Sequence, residues 1–260
     1  MNRKAFFDAL RGGPVFGRAI PAPAVVTCDA ILDEAEKRGT KLRHLAYILA
    51  TARWECGADM KPKRENLYYT SAERIRAVWP ARFKSDRDAT PFVRNPRALA
   101  NRVYSGRLGN GPADGYTFLG RGLVQLTGRG NYARAGRELG LPLVQTPDLA
   151  LQMGPAVAIL FSGMEEGWFT GISLEDAERI PGYEDDRRII NGTDRAAEVA
   201  RLAEAFEGAL EAAGWPEDGP EPAQAPEPAG DAQASAWAAW INSAPPGALA
   251  WLGAIPGGQA

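Results

Sequence analysis

The run TKLRHLAYILATARWECG, residues 40–57, constrains the fold more than any other stretch of the chain. Its larger apolar residues recur at intervals of three or four, which places their side chains on one face of an α-helix. The residues of this stripe are Leu42, Leu45, Leu49 and Ala52. Thr40 is of a type that caps helix N-termini, and Gly57 of a type that ends helices. We therefore predict one amphipathic helix between them.

Three further runs indicate helices. SAERIRAVWPARF starts with the capping residue Ser71 and stops at a proline. DLALQMGPAVAILFSGMEEGWF predicts one or two buried helices near residues 147–165, and DRAAEVARLAEAFEGALEAAG is helical up to Gly214. Glycine, proline and polar residues dominate 57–70 and 105–130, which indicates loops with room for a small hairpin. The prediction is a mainly α fold.

The composition changes after Gly214. Residues 1–214 have the apolar content of a folded domain, whereas 215–233 form a Pro/Glu/Ala-rich linker that we expect to be extended or disordered. Residues 234–260 form an uncharged tail with three of the seven tryptophans. A membrane-spanning helix, an interfacial or partner-docking segment and an unstructured tail all remain open for it, since two adjacent prolines interrupt its middle.

The charge balance excludes some partners. The formal net charge is −2, so nothing in the overall balance favours nucleic acid. All 30 basic side chains but only 27 of the 32 acidic ones lie in residues 1–214. This mild excess of positive charge tolerates a polyanionic substrate without requiring one. We expect the protein to act as a monomer.

Histidine and cysteine are scarce. The single histidine, His44, cannot supply the ligands of a zinc hydrolase, and we expect neither metal nor cofactor. Two cysteines, Cys28 and Cys56, make no disulfide framework, which favours cytosolic synthesis. In one helix, His44 and Cys56 would lie about 18 Å apart, too far for a catalytic pair. A Cys28–His44 pair stays open. The first 17 residues contain no apolar run typical of a secretory signal.

The loop TFLGRGLVQLTGRGNY, residues 117–132, concentrates glycine with hydrogen-bonding side chains. It lacks the buried strand and third glycine of a dinucleotide fingerprint, and the Gly-Lys-Ser/Thr of a P-loop. It does present amides, a hydroxyl and a phenol, and amides bind sugar hydroxyls and acetamido groups because they both donate and accept. These side chains are Gln125, Thr127, Asn131 and Tyr132. A structural turn with locally satisfied polar groups is the alternative.

Two glutamates provide a candidate acid and base. Glu55 lies in the last turn of the predicted helix, where partial burial and the helix dipole both disfavour a negative charge, as suits a proton donor. Glu65 follows Lys63 and Arg64, and we expect these cations to lower the pKa of its carboxyl, as suits a base. Two carboxyls in opposed charge states are what glycoside hydrolysis requires. Solvated surface charges are the alternative.

Four ordered blocks resemble family 19 of the glycoside hydrolases, most closely its branch of phage endolysins and bacterial chitinase-like proteins. They are RWECGADMKPKRENLYYTSAERI, NRVYSGRLGNG, GYTFLGRGLVQLTGRGNY and RRIINGTD, and the similarity runs from about residue 40 to 210. The resemblance implies a two-lobed, lysozyme-like, α-rich fold. It also implies hydrolysis, without a cofactor, of β-1,4 bonds beside N-acetylglucosamine-type sugars by an inverting mechanism.

Residue by residue, the resemblance implies Glu55 as general acid and Glu65 as base. It places Gln125, Thr127, Asn131 and Tyr132 in the substrate cleft and implies that Asn191 holds the acetamido group or the water. The family usually has His before the acid and Ser or Thr after it. This chain has Trp54, which can still form a wall of the cleft, and Cys56, a poorer hydrogen-bond donor than a hydroxyl.

The resemblance to the phage branch favours bacterial peptidoglycan over chitin as the polymer. It implies synthesis in the cytoplasm and action on the wall after release through a holin-type pore, with membrane association of the tail as a further expectation. Two alternatives stay open at this point. One is a family member that binds glycan without cleaving it; the other is a wall peptidase or amidase using Cys28 or Cys56.

Overall fold

The structure is a computed structural model that describes residues 1–222. Over that range the fold is mainly α, as predicted. The α-helices are α1 (Arg3–Leu10), α2 (Ala22–Arg38), α3 (Leu42–Cys56), α4 (Ala72–Val78), α5 (Asp86–Ala89), α6 (Pro96–Tyr104), α7 (Asp114–Thr117), α8 (Arg129–Leu139), α9 (Met153–Glu165), α10 (Leu174–Ala177) and α11 (Ala196–Ala212). Short 3₁₀ helices cover Thr90–Phe92, Pro147–Leu151 and Asp185–Ile189. Two short strands, β1 (Lys63–Arg64) and β2 (Arg121–Gly122), pair antiparallel.

Helix α3 is the centre of a bundle with α1, α2, α9 and α11. Eight consecutive residues, 45–52, are buried, so α3 is enclosed on every side rather than along one stripe as predicted. Gly57 ends the helix as expected, but Thr40 does not cap it: Lys41 occupies the cap position and makes no side-chain hydrogen bond. The surrounding helices, not local capping, therefore hold α3 in place.

A second group of helices packs around a separate set of buried residues. The buried members are Leu67, Ile75, Phe83, Ala89, Leu99, Ala100, Val103 and Leu119. We call residues 61–119, which contain this core and helices α4–α7, the small lobe, and the rest of 1–222 the large bundle. Ser71 caps α4 as predicted, accepting a hydrogen bond from the N–H of Arg74 at 3.2 Å. Ser85 and Asp88 form a reciprocal capping pair on α5.

The two predicted loop regions meet each other. Strand β1 comes from the first and β2 from the second, with Lys63 opposite Gly122 and Arg64 opposite Arg121. The expected hairpin is reduced to a turn in which Arg121 and Leu126 exchange two backbone hydrogen bonds. A long-range pairing of this kind leaves no local sequence signal. It joins the small lobe to the large bundle.

The folded part extends past Gly214, into residues assigned from the sequence to the linker. Trp215 is 5% exposed, and its Nε1 donates to the carbonyl of Thr40 at 3.0 Å. Gly219 approaches Gly39 so closely that a Cβ on it would lie 2.2 Å from the Gly39 carbonyl oxygen. Burial of the indole outweighs the polar character of the segment, since a large apolar side chain contributes about 1.5–3 kcal/mol when buried.

The expectations for the tail, 234–260, and for the end of the linker fall outside the described residues. Within residues 1–222, no helix has both the length and the apolar character needed to cross a bilayer.

Candidate active site

The segment 120–123 brings the two predicted catalytic segments together. The N–H of Glu65 donates to the carbonyl of Gly120 at 2.8 Å, which continues the β1–β2 pairing. Two residues further on, the Cys56 thiol lies 3.5 Å from the carbonyl oxygen of Gly122. The last turn of α3, with Glu55, and the loop with Glu65 therefore flank the same short strand. Two residues of strand span about 7 Å.

The Glu65 carboxylate is held by two donors. The Tyr104 hydroxyl donates to Oε1 at 2.7 Å, and the N–H of Gly120 donates to Oε2 at a longer 3.4 Å. Burial raises the pKa of the Glu65 carboxyl above its usual value, while these two hydrogen bonds act in the opposite direction. The expectation that neighbouring cations lower this pKa is wrong. Burial dominates, and the Arg64 guanidinium is turned away, 4.8 Å from the centroid of the Tyr116 ring.

Glu55 is paired with a cation from the large bundle. Arg187 Nη1 donates to Glu55 Oε1 at 2.9 Å; the guanidinium side chain is 4% exposed and the glutamate side chain 19%. Arg187 Nε also donates to the carbonyl of Asp194 at 3.1 Å, which ties the pair to the loop before α11. The expectation for Glu55 from the sequence took account of burial and the helix dipole and did not include this cation.

The glycine loop forms the wall next to Glu65. Gln125 adopts a left-handed backbone conformation (φ 55°), and its Nε2 donates to the carbonyls of Lys63 and Gly122 at 3.0 and 3.1 Å. A Cβ on Gly120 would lie 3.0 Å from Gln125 Oε1 and 3.2 Å from the Thr127 hydroxyl, so a larger residue there would push these groups aside by a few tenths of an ångström. The amide nitrogen of Gln125 is therefore used inside the protein. Its oxygen stays beside Glu65.

Thr127 and Asn131 support the same loop. The Thr127 hydroxyl donates to the carbonyl of Gln125 at 2.8 Å, and Asn131 Nδ2 donates to the carbonyl of Thr127 at 2.8 Å. Both side chains are partly exposed. Each has a remaining acceptor oxygen.

The expectation that Tyr132 contacts substrate is wrong. Its side chain is fully buried, its hydroxyl donates to the carbonyl of Leu119 at 2.9 Å, and Arg121 Nη1 donates to it at 3.1 Å. Arg121 is itself 3% exposed and pairs with Asp148 at 2.7 Å. Tyr132 and Arg121 thus fix the base of the loop instead of lining a cleft.

The remaining predicted site residues lie at the edges of this region. Trp54 is half-buried and precedes Glu55 in the last turn of α3; its role in a cleft wall stays a prediction. Asn191 is exposed, and its N–H donates to the carbonyl of Arg187 at 2.9 Å, so it follows directly on the residue that pairs with Glu55.

Two residues of the site were missed from the sequence. Tyr104 and Arg187 both lie inside blocks quoted for the resemblance, NRVYSGRLGNG and RRIINGTD. Their positions in these blocks could have identified them as site residues. Their contacts with Glu65 and Glu55 could not be predicted, because these glutamates lie 39 and 132 residues away along the chain.

The cysteines are poorly suited to nucleophilic chemistry. Cys28 and Cys56 are both buried, and burial raises the pKa of each thiol, that of Cys56 to about 12. His44 lies at the other end of α3 from Cys56 and faces Glu178. Among residues 1–222, no three His, Cys, Asp or Glu side chains cluster as metal ligands.

Solved structures similar to the chain include a distant relative. Chitinase C from Streptomyces griseus HUT6037 is 21% identical to the chain, with a TM-score of 0.43, over 85% of this chain and 79% of that one. No family model matches the chain.

Sequence relatives are more informative. A stretch of 130 residues, 48% of this chain, is 35% identical to a glycosyl hydrolase family 19 domain-containing protein of Haemophilus influenzae and covers 64% of that protein. Shorter stretches are 37% identical to chitinase 8 of Oryza sativa subsp. japonica and 36% identical to an acidic 27 kDa endochitinase of Solanum lycopersicum. They cover 29% and 30% of this chain and 34% and 38% of the plant proteins, so every match spans less than two thirds of the relative. The aligned part of the chain is thus similar to a family 19 glycosyl hydrolase domain protein and to plant chitinases.

Proposed function

We propose that the protein hydrolyses β-1,4 bonds of an N-acetylglucosamine-containing cell-wall polymer by a single displacement with inversion. One observation carries the proposal: the segment 120–123 holds the Glu55 turn at one end and Glu65 at the other. We expect the two carboxyls to lie about 6.5–9.5 Å apart, the separation that admits a water molecule between them in inverting enzymes.

Glu65 acts as the base in this proposal. Tyr104 occupies Oε1 through a short hydrogen bond, whereas the contact to Oε2 is long, at 3.4 Å. Oε2 is therefore the oxygen that accepts the proton of the attacking water. The partly buried position makes the carboxylate a stronger base than an exposed one, because burial raises its pKa.

Glu55 acts as the acid, a role that rests on the resemblance. Arg187 orients the carboxyl through Oε1, which leaves Oε2 to carry the proton towards the glycosidic oxygen. Gln125, Thr127 and Asn131 offer acceptor oxygens to the sugar hydroxyls and acetamido N–H, with Trp54 and Asn191 at the edges.

Peptidoglycan is the polymer we propose, with chitin as the alternative. The preference follows from the resemblance to the phage branch. The names of the plant relatives, a chitinase and an endochitinase, support chitin. Release to the wall after cytoplasmic synthesis, and a pore or membrane partner for the tail, belong to the same proposal.

The test uses Glu55→Gln and Glu65→Gln, with Glu73→Gln on the first turn of α4 as the control. We expect each site variant to lose about 10²–10⁴-fold in kcat on natural polymer, the usual contribution of an acid or base, and the control to be mild. On an aryl glycoside, whose leaving group needs no proton, activity returns in Glu55→Gln only. Return in Glu65→Gln instead means that the roles are reversed.

Products from purified sacculi and from chitin oligomers, identified by mass spectrometry, distinguish the polymers. The anomeric configuration of the first product tests inversion, and a β product contradicts the mechanism. Binding of the polymer without cleavage by the wild type supports a glycan-binding protein instead of an enzyme.

A further inference from the structure

Charge is strongly segregated between the two parts of the molecule. The small lobe, residues 61–119, contains 12 Lys and Arg against 5 Asp and Glu. The large bundle, residues 1–60 and 120–222, contains 18 against 25. The near-neutral total therefore hides a cationic lobe, and Glu65 is one of its few acidic residues. Clustered like charges disfavour the compact state but attract anions.

Two cations of the small lobe converge on one aromatic ring. The guanidinium carbons of Arg64 and Arg97 lie 4.8 and 4.6 Å from the centroid of the Tyr116 ring. Arg64 Nη2 also lies 3.4 Å from the Tyr116 carbonyl oxygen. Both arginines are exposed, and neither forms an ion pair with any carboxylate of residues 1–222. Both guanidinium groups are thus held against the same ring, and neither has a carboxylate partner among residues 1–222.

The position of Arg64 and Arg97 suits contact with a substituent of the substrate and not with the bond that is cleaved. Arg64 immediately precedes Glu65, and successive side chains of an extended segment point to opposite sides. The guanidinium is accordingly turned to Tyr116, away from the Glu65 carboxylate. Planar guanidinium groups bind carboxylates through two parallel hydrogen bonds. A neutral sugar polymer offers no such group, whereas a wall polymer with peptide substituents does.

We propose that Arg64 and Arg97, held by Tyr116, form a subsite for a carboxylate substituent of the wall polymer, and that this subsite selects an anionic glycan over a neutral one. The inference rests on the proposed function and deepens it. Chitin lacks carboxylates, so the subsite does not strengthen its binding. Peptidoglycan with free peptide carboxyls binds more tightly because its carboxylates reach the two arginines.

The test compares Arg64→Gln, Arg97→Gln and the double variant with Arg134→Gln. Arg134 is a matched control because its guanidinium lies 5.6 Å from the centroid of an aromatic ring, that of Trp168, in the large bundle. Three substrates are used: peptidoglycan with free carboxyls, the same material after carboxyl amidation, and a neutral chitin oligomer. Circular dichroism checks that the variants fold.

On the free-carboxyl polymer we expect kcat/KM to fall roughly ten-fold for each arginine removed, the factor expected for a hydrogen bond to a charged group. On the amidated polymer and the chitin oligomer, the variants should match the wild type. Equal losses on all three substrates, or no loss on the first, overturn the subsite.

Cosedimentation with the insoluble polymers separates this inference from the proposed function. A wild type that cleaves nothing contradicts the proposed function. If it still binds the free-carboxyl polymer better than the amidated one, and the double variant loses that difference, the subsite stands. If the double variant loses binding to DNA or to anionic vesicles to the same extent, the subsite is overturned. The two arginines would then belong to a surface that binds any polyanion.

Discussion

The large bundle and the small lobe are built on different principles. The bundle has long helices: α2 and α11 have 17 residues each and α3 has 15, and their stability comes from the side chains that they bury. The helices of the lobe have between four and nine residues, too few to persist alone, and polar caps begin several of them. The lobe also carries the excess of positive charge.

The difference explains how the candidate site is assembled. Glu55 extends from the most enclosed helix of the bundle, whereas Glu65 is positioned by a capped, cationic and smaller unit. The segments that carry the two glutamates lie beside the same short strand because β1 and β2 join these units. Changes in the bundle should therefore act mainly through stability, and changes in the lobe mainly through the chemistry of Glu65.

The largest effect on stability is expected where the bundle supports the site. Arg187→Gln leaves Glu55 without its cation, and breaking a buried ion pair by removing one partner costs about 3–5 kcal/mol. Urea unfolding measures the loss. Arg188→Gln, next in the chain but exposed, should change the unfolding free energy by less than about 0.5 kcal/mol. An equal loss of unfolding free energy in both variants would mean that the Glu55–Arg187 ion pair makes no particular contribution to stability.

Trp215 tests where the bundle ends. Trp215→Ala should lower the free energy of unfolding by about 3–5 kcal/mol, because it opens a cavity over the α2–α3 turn. Trp215→Phe keeps most of the volume and loses the hydrogen bond to the Thr40 carbonyl, for which we expect about 1 kcal/mol. A chain ending after Pro222 should be as stable as the full chain, and one ending after Gly214 should not. Thermal unfolding of the two shortened chains decides between 214 and 222 as the boundary.

Core substitutions compare the two parts directly. Leu49→Ala in α3 and Leu99→Ala in α6 each remove a fully buried side chain, for which about 2–5 kcal/mol is expected. We expect the smaller loss for Leu99, because short helices can close around a cavity more easily than an enclosed central helix. Val26→Ala, at a 60% exposed position, is the reference. A larger loss in Leu99→Ala would remove the distinction between bundle and lobe.

The smallest effect concerns Glu65, the proposed base. The Tyr104 phenol donates to the Glu65 carboxylate and so favours the ionised form; Tyr104→Phe should raise the pKa of Glu65 further above its usual value. Since a base must be unprotonated, the acidic limb of the kcat/KM profile should move to higher pH, with little change on the alkaline side. Tyr69→Phe, whose hydroxyl is not bonded to Glu65, should leave that limb in place. A uniform loss across pH would indicate a structural role for Tyr104.

Sequence reasoning succeeded where the determinants are local or where whole blocks match a family. The Ser71 cap, the glycine end of α3 and the helices at 153–165 and 196–212 follow from spacing and residue type. The mainly α fold and the similarity to family 19 followed from the same signals.

Sequence reasoning failed where a contact depends on the direction in which a side chain points. Nothing in the local sequence shows that the Arg64 side chain turns to Tyr116, or that burial therefore raises the pKa of the Glu65 carboxyl. The burial of Tyr132 against Arg121 has no local signal either. The Glu55–Arg187 pair joins residues 132 positions apart and exists only in the folded chain.

Helix α3 also determines how mechanical load would pass through the protein. The N–H of Leu42, at its start, donates to the carbonyl of Glu217 at 3.0 Å, close to the last described residue, Pro222. Glu55 lies 13 residues further on, about 20 Å along the helix axis. A force applied to the chain after Pro222 thus acts on the N-terminal end of α3, whereas Glu55 lies at its C-terminal end. It displaces Glu55 only when the whole buried helix moves, so tethering the chain at that end leaves the geometry of the site intact.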